Sequence, residues 1–446
     1  MVHMTQIDLS SPVVPADQVH AVLQRSMLAD GFAFVLDLEA SAGSYLVDAR
    51  TGSRYLDLFT FFASNALGMN HPALADDEAF RRDLLTAALN KPSNSDVYSE
   101  PMARFVDTFR RVLGDPRLPH LFFIEGGAAA VENALKIAFD YKSRVNERKG
   151  LDPALGTKVL HLRHAFHGRS GYTMSLTNTD PNKTDRYPKF DWPRIDSPAQ
   201  FDGVDIGAAE AAALAQAADA FAAAPDDIAC FIAEPIQSEG GDRHLRAEFL
   251  QAIQELCHAH DALFVLDEVQ TGCGMTGSAW AYQQLGLEPD VVAFGKKVQV
   301  CGVMAGGLVD DVPDNVFQVP SRINSTWGGN LTDMVRSRRI LEVIESDGLI
   351  ARATELGHGL LAMLAHLALD HPAITNVRGR GLMCAFSLPS GELRDQVVAA
   401  ARDQEHVLLL GCGDDSIRFR PALTVGFEQL ADGVAALDRV LSGLGR

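Results

Sequence analysis

The middle of the chain alternates short apolar runs with longer stretches of helical periodicity. The runs are continuous, and polar or glycine positions flank each of them. Five of them are Leu121–Ile124, Val159–Leu162, Cys230–Ala233, Leu263–Leu266 and Val291–Phe294. Continuous apolar strands separated by helices indicate a mostly parallel sheet that is covered on both faces. The pattern therefore predicts an α/β fold for this part of the chain.

The two ends of the chain follow different patterns. Helical periodicity around Val19–Leu23 comes before a predicted hairpin formed by Ser44–Asp48 and Arg54–Leu58. From about residue 334 the chain becomes helical, and it then gives three short strands and a final helix. These strands are predicted near Leu382–Leu388, Val407–Leu410 and Ile417–Phe419. We therefore predict three parts, namely an N-terminal segment (residues 1–70) that contributes to a small domain, a large domain (71–333) and a C-terminal small α+β domain (334–446).

The composition narrows the classes of function. The chain has 446 residues, 47% of them hydrophobic, and a net charge of −19. Nucleic acids and anionic membranes attract basic surfaces, so we expect neither as a partner. No apolar run approaches the roughly 20 residues needed to span a bilayer. The six scattered cysteines, without a C-x-x-C pair, and the absence of a signal-peptide pattern predict a reduced, cytoplasmic protein.

Residues suited to chemistry follow four of the predicted strands. They are Asp267, Lys296, the pair Gly126-Gly127 and the pair Phe166-His167. Ligands of parallel sheets bind beyond the carboxyl ends of the strands, so these residues should lie near one another. An acid, an amine, a glycine turn and an aromatic ring together predict a binding site at that edge.

The acid and the amine suggest a specific chemistry. A carboxylate such as Asp267 is costly to bury without a partner, and a protonated pyridine nitrogen would suit it. A helix cap or a salt bridge is the alternative role. A lysine at the end of a buried strand loses hydration, which lowers its pKa and favours imine formation. Lys296 and Lys297 should face opposite ways in an extended segment, and we select Lys296 because it directly follows Gly295.

Five motifs carry a resemblance to a known family. They are Glu234–Gly241, Phe264–Gly272, Asp290–Lys296, Thr326–Asn330 and Ile417–Pro421. With these motifs the chain resembles the class III (ω-amino) aminotransferases over most of its length. The resemblance implies a fold-type-I pyridoxal-phosphate (PLP) transferase, with a mostly parallel large domain, a smaller α+β domain and a homodimer with shared active sites. It also implies that Lys296 holds PLP as a Schiff base and moves protons, while Asp267 pairs with the ring nitrogen.

The resemblance also implies how the rest of the cofactor is bound. Gly127 and Ala128 open a predicted helix, whose free N–H groups and dipole suit a phosphate. Ser325 and Thr326 should complete the phosphate site, with the threonine reaching it from the partner subunit. Gly126 replaces a hydroxyl-bearing residue that is frequent in the family, so backbone groups and Thr326 should contribute more.

Two more residues are assigned to the cofactor ring. Phe166 corresponds to the aromatic residue that stacks on the ring, although a core position is the simpler role for a phenylalanine. Gln270 corresponds to the residue that hydrogen-bonds the ring hydroxyl. Both assignments depend on the resemblance.

Two arginines and one glutamate match the substrate site of the family. Arg169 and Arg418 correspond to carboxylate-binding residues, and Glu239 corresponds to a switch that pairs with Arg418. With Glu239 on Arg418, only Arg169 would bind the carboxylate of a diamino acid. When Glu239 moves away, Arg418 would bind the carboxylate next to the keto group of 2-oxoglutarate. Surface ion pairs, worth only about 0–1 kcal/mol, are the alternative interpretation.

Three further stretches resemble the members of the family that act on L-lysine. They are Phe59–Asn70, Asn90–Tyr98 and Lys296–Gly306. We therefore expect ping-pong transfer of the ε-amino group of L-lysine to 2-oxoglutarate, giving 2-aminoadipate 6-semialdehyde and glutamate. Ornithine and γ-aminobutyrate stay open as donors, because one methylene discriminates by only about 1–3 kcal/mol.

Other signals support competing functions. Gly272-x-Gly274-x-x-Gly277 matches a dinucleotide fingerprint by letter and would suit a nicotinamide-dependent oxidoreductase. A PLP fold without catalysis, acting in binding or regulation, is a third possibility. Three histidines at a spacing of three, His161, His164 and His167, could suggest a metal. No cysteine or acid completes that set, so we expect no metal.

Overall fold

The structure of the protein is a computed structural model that describes residues 14–444. Residues 1–13 of the predicted N-terminal segment and residues 445–446 of the predicted C-terminal domain lie outside the described residues. Its largest element is a seven-stranded sheet. From edge to edge the strands are His120–Ile124, Cys301–Ala305, Val291–Phe294, Leu263–Asp267, Ile228–Ala233, Lys158–Leu162 and Arg194–Ile195. Six strands are parallel, and Cys301–Ala305 is antiparallel to both neighbours. The predicted α/β fold is confirmed.

All five predicted strands lie in this sheet. Ile228–Ala233 is buried at every position, which explains why its sequence is apolar without alternation. Two strands were not predicted, namely Cys301–Ala305 and the two-residue Arg194–Ile195. The alanine-rich helix Ile206–Ala223 buries Ala213, Ala217 and Phe221 among others.

Helices cover both faces of the sheet and form much of the remaining chain. The longest on the sheet is Gly127–Arg148, whose Val131, Leu135 and Ile137 are buried. The other α-helices within residues 14–444 are Val19–Leu23, Pro72–Ala75, Glu78–Asn90, Glu100–Val112, Thr173–Leu176, Pro181–Thr184, Ala247–Ala259, Ala281–Gln284, Leu331–Ser346, Leu349–Asp370, Gly391–Glu405 and Phe427–Leu444. None of the helices in this range is long and apolar enough to cross a membrane.

Smaller sheets form the rest of the structure. A four-stranded antiparallel sheet has the order Thr375–Arg380, Met383–Ser387, Ser416–Phe419 and Leu410–Cys412. A second sheet joins the predicted hairpin, observed as Tyr45–Val47 and Arg54–Asp57, to Val407–Leu408. Ile236–Gln237 pairs with Arg243–His244. The N-terminal and C-terminal parts therefore share a sheet, while the predicted domain boundaries remain predictions.

Candidate active site

The carboxyl ends of the parallel strands open into a cavity of about 620 Å³. Most of the residues predicted from the sequence line it together. They are Lys296, Asp267, Gly127, Ala128, Phe166, Gln270, Arg169 and Glu239. The order of the strands produces this convergence, because Asp267 ends one strand and Lys296 follows its neighbour.

Lys296 lies at a tight bend directly after the Val291–Phe294 strand. Its φ of 48° places it in the left-handed region, and it begins a short 3-10 helix, Lys296–Val298. Burial lowers the pKa of the Lys296 amine, while the nearby charge of Asp267 acts in the opposite direction. A larger share of this amine is therefore unprotonated and nucleophilic than in an exposed lysine.

The premise that selected Lys296 over Lys297 is wrong, because the segment is helical and not extended. The two side chains nevertheless diverge. Lys297 is buried, and its Nζ donates a 2.9 Å hydrogen bond to the Ala63 carbonyl. Only Lys296 lines the cavity, and Lys297 is a packing residue and not a solvated one.

Asp267 is held in place by two hydrogen bonds. Its Oδ2 accepts from His167 Nδ1 at 2.8 Å, and its Oδ1 accepts from the Val269 backbone N–H at 3.0 Å. The carboxylate is buried and has no lysine or arginine partner within residues 14–444. It therefore leaves room for a cationic ring nitrogen as its partner in the cavity.

The helix Gly127–Arg148 begins at the cavity without a side-chain cap. Its first intrahelical hydrogen bond runs from Ala130 N to Gly126 O at 3.0 Å, so the N–H groups before Ala130 have no helical partner. Gly168 lets the Phe166 segment pack against this helix, because a Cβ there would lie 2.5 Å from the Ala128 Cβ. An uncapped helix N-terminus of this kind suits a phosphate.

These groups fit PLP by their chemistry. A buried carboxylate suits the ring nitrogen, a buried amine suits the aldehyde, and an uncapped helix N-terminus suits the phosphate. Gln270 Oε1 accepts a 2.9 Å hydrogen bond from Arg420 Nε, which leaves the amide N–H groups of Gln270 available to the cavity. Arg420 is itself fully buried and ion-paired with Asp242.

A left-handed turn forms another part of the cavity wall. The residues Thr60–Ala63 all have φ between 43° and 68°, and Phe61 and Phe62 line the cavity. Asp57 holds the start of the turn by accepting hydrogen bonds from the backbone N–H groups of Phe59 and Thr60 at 3.1 and 2.7 Å. The sequence contains no glycine here, and the left-handed turn was not predicted.

The predicted contact between Glu239 and Arg418 is present, with Glu239 Oε2 2.9 Å from Arg418 Nη2. Arg418 also donates to the Ser238 carbonyl at 3.2 Å and is almost fully buried. A contact that was not predicted is made by Lys183, whose Nζ donates to Glu239 Oε1 at 2.5 Å. Arg169 is exposed at the cavity mouth.

Sequence reasoning assigned no role to two other lining residues, Glu234 and Cys301. Glu234 accepts hydrogen bonds from the Phe166 and Ser238 N–H groups, and burial raises its pKa to about 7. Glu234 directly follows the Ile228–Ala233 strand. The expectation that ligands bind beyond the carboxyl ends of parallel strands could therefore have identified it from the sequence. No comparable signal marks Lys183, which lies on the one-turn helix Pro181–Thr184.

Some predicted residues do not reach the cavity within one chain. Ser325 and Thr326 lie on a segment where Ser95 Oγ donates to the Ser325 carbonyl, and neither lines the cavity. His161 is away from the cavity and accepts a 3.0 Å hydrogen bond from Arg194 Nε. The contribution of Ser325 and Thr326 to a phosphate site stays a prediction.

The glycine fingerprint has the wrong structural context for a dinucleotide. Gly272, Gly274 and Gly277 lie in consecutive turns, and the next helix is the four-residue Ala281–Gln284. A dinucleotide site needs a full helix that opens at the glycines. The positive φ values of Gly274 and Gly277, 85° and 90°, agree with the alternative role of turn residues.

Comparisons with known proteins agree with this geometry. The family model described as "Aminotransferase class-III" matches residues 28–441. The L-lysine-epsilon aminotransferase of Mycobacterium tuberculosis is 65% identical over 434 residues, covering 96% of each chain. That of Streptomyces clavuligerus is 59% identical over 431 residues, covering 95% of this chain and 93% of the relative. A solved lysine aminotransferase from M. tuberculosis, in the internal aldimine form, has a TM-score of 0.96 at 64% identity, covering 97% of this chain and all of that one.

The geometry and the comparisons lead to one assignment. The strand-end lysine and aspartate, the uncapped helix and the glutamate were each expected from the family resemblance. All of them line one cavity, and Arg418 is held against its wall by the contact with Glu239. The family model spans almost the whole of the described chain. The protein belongs to the class-III aminotransferase family.

Proposed function

We propose that the protein is an L-lysine 6-aminotransferase, which transfers the ε-amino group of L-lysine to 2-oxoglutarate and gives 2-aminoadipate 6-semialdehyde and glutamate. The observation that carries the proposal is the arrangement of charges in the cavity. Glu239 neutralises Arg418, while Arg169 lines the same cavity. The relatives from M. tuberculosis and S. clavuligerus support lysine as the donor.

PLP, when bound, supplies a ring that withdraws electrons from the carbon that loses a proton. Asp267 would keep the ring nitrogen protonated, and His167 fixes the carboxylate through the 2.8 Å hydrogen bond. Lys296 would hold the cofactor and, once released by the donor amine, move a proton from the donor carbon. Its lowered pKa favours the unprotonated amine that this step requires.

The two arginines would orient the two substrates differently. Arg169 would bind the α-carboxylate of lysine in a bidentate manner and leave the distal amine at the reacting centre. Glu239 prevents Arg418 from competing for that carboxylate in this step. Movement of Glu239 would then free Arg418 for one of the two carboxylates of 2-oxoglutarate.

We further propose a homodimer with shared active sites, in the cytoplasm. The exposed position of Thr326, away from the cavity of its own chain, supports a contact with the cavity of a second copy. The six cysteines are all free thiols, which supports a reducing compartment.

A panel of amino donors tests the function. L-lysine, L-ornithine and γ-aminobutyrate are each supplied with 2-oxoglutarate, and the rate of glutamate formation is measured. We expect kcat/KM for lysine to exceed that for the other donors by about tenfold or more. Ornithine or γ-aminobutyrate ahead of lysine would overturn the choice of donor, and no transfer from any donor would overturn the function.

A further inference from the structure

Glu239 has two cationic partners and not one. Its Oε2 lies 2.9 Å from Arg418 Nη2, and its Oε1 lies 2.5 Å from Lys183 Nζ. The three charged groups thus form a chain in which each carboxylate oxygen has its own cation. Lys183 also lies over the Phe166 ring, with Nζ 5.8 Å from the ring centroid.

The two cations differ in their surroundings. Arg418 is on the Ser416–Phe419 strand, and its side chain is only 2% exposed. The side chains of Lys183 and Glu239 are 28% and 24% exposed, and both line the cavity. Lys183 also borders a second depression that it shares with Arg169 on the outer side of the cavity.

The main chain of Glu239 is held by a 2.9 Å hydrogen bond from Gly413 N to the Glu239 carbonyl. If the Glu239 side chain rotated away from Arg418, Lys183 is the cation that it could keep as a partner.

We propose that Lys183 is a positioning residue that determines how readily Glu239 leaves Arg418; this proposal rests on the proposed function. A carboxylate that leaves a buried arginine without another partner loses a charge-assisted hydrogen bond. Lys183 retains Glu239 through Oε1 while Oε2 separates from Arg418. The displaced carboxylate then remains neutralised when a dicarboxylate substrate, with two negative charges of its own, enters beside it.

Removal of the Lys183 charge should therefore weaken the binding of dicarboxylates more than that of monocarboxylates. A monocarboxylate needs only Arg169, so its binding should change little. A dicarboxylate needs Arg418 as well, and without Lys183 the glutamate would stay on that arginine. The donor half-reaction, in which Glu239 remains on Arg418, should be nearly unaffected.

A double-mutant cycle, measured with ligands that cannot react, tests whether Lys183 positions Glu239. Calorimetry on the holoenzyme measures the Kd of glutarate, a dicarboxylate, and of pentanoate, a monocarboxylate of equal length. The proteins are the wild type, Lys183→Met, Glu239→Gln and the double variant, with Lys183→Arg as the conservative control. Lys183→Met should raise the Kd of glutarate about tenfold and that of pentanoate less than about twofold. Lys183→Arg should stay close to the wild type.

The double variant shows whether Lys183 acts through Glu239 or contacts the ligand directly. Because the neutral amide introduced by Glu239→Gln cannot form the ion pairs, adding Lys183→Met to that variant should leave the Kd of glutarate unchanged. An unchanged Kd of glutarate in Lys183→Met alone, or a tenfold loss that persists in the Glu239→Gln background, would overturn the proposal. Wild-type enzyme that transfers no amino group from lysine would instead refute the proposed function, whatever the binding cycle shows.

Discussion

We predict that Lys297→Met makes the stability of the protein less dependent on pH. Lys297 is buried, and its Nζ donates a 2.9 Å hydrogen bond to the Ala63 carbonyl. That carbonyl ends the left-handed turn Thr60–Ala63, which contains no glycine. Each such residue costs about 1–2 kcal/mol, so the turn depends on the hydrogen bonds that hold it.

The structure gives the size and the sign of the effect. Loss of the donor leaves a buried carbonyl without this partner, which costs about 1–3 kcal/mol and opposes the gain from removing a buried amine. Burial lowers the pKa of Lys297 from 10.5 to about 7. Between those values the unfolded chain binds a proton that the folded chain does not, so stability rises with pH. The slope is at most about 1.4 kcal/mol per unit, or about 2 kcal/mol between about pH 7.5 and about pH 9.

Urea unfolding of the holoenzyme at these two pH values, followed by tryptophan fluorescence, measures the free energy of unfolding. Lys136→Met is the matched control, because Lys136 is exposed on the helix Gly127–Arg148. Wild type and control should gain stability as the pH rises. The Lys297→Met protein should gain about 2 kcal/mol less than either of them. A gain equal to that of the wild type would refute the reasoning.

Two further substitutions test buried polar side chains, namely the charged Arg420 and the neutral His161. Arg420→Met should lower the free energy of urea unfolding by about 3–5 kcal/mol, because Asp242 stays buried without its partner. His161→Gln should weaken the loss of stability on acidification, also measured by urea unfolding. Burial lowers the pKa of His161 to about 3, so the unfolded chain binds the proton first as the pH falls below 6.5. Between about pH 7 and about pH 5 the variant should lose about 2 kcal/mol less than the wild type.

Exposed positions provide the controls for these two variants. Arg81→Met removes an ion pair with Glu78 in which both side chains are exposed, so it should cost only about 0–1 kcal/mol. A similar small cost for Arg420→Met would contradict the importance of the buried pair. His366 is exposed, and His366→Gln should lose stability at low pH as the wild type does. An equal loss in His161→Gln would show that His161 is not responsible.

Much of the fold could be predicted because parallel strands that are buried on both faces have continuous apolar sequences. The runs at Ile228–Ala233 and Val291–Phe294 are buried at every position, and their sequences are apolar throughout. Cys301–Ala305 was missed as a strand because its sequence, Cys-Gly-Val-Met-Ala, is short and contains a glycine. That glycine is required by packing, since a Cβ at Gly302 would lie 2.2 Å from the Phe122 carbonyl oxygen.

Without the family resemblance, the candidate site was predictable only at the ends of the parallel strands. Asp267 and Lys296 end or follow adjacent strands, so local sequence was sufficient to place them together. The left-handed turn at Thr60–Ala63 depends on distant residues, including Lys297, and nothing in its own sequence predicts its hand. Lys183 reaches Glu239 across 56 residues of sequence from a one-turn helix, and no periodicity predicts such a contact.

The most direct test of the account is to locate the covalent attachment of the cofactor. The holoenzyme is reduced with borohydride, digested, and sequenced by tandem mass spectrometry, which distinguishes adjacent lysines. We predict that the cofactor is attached to Lys296, whose amine lines the cavity beside Asp267. Attachment to Lys297 or Lys183, or to no lysine at all, would contradict it.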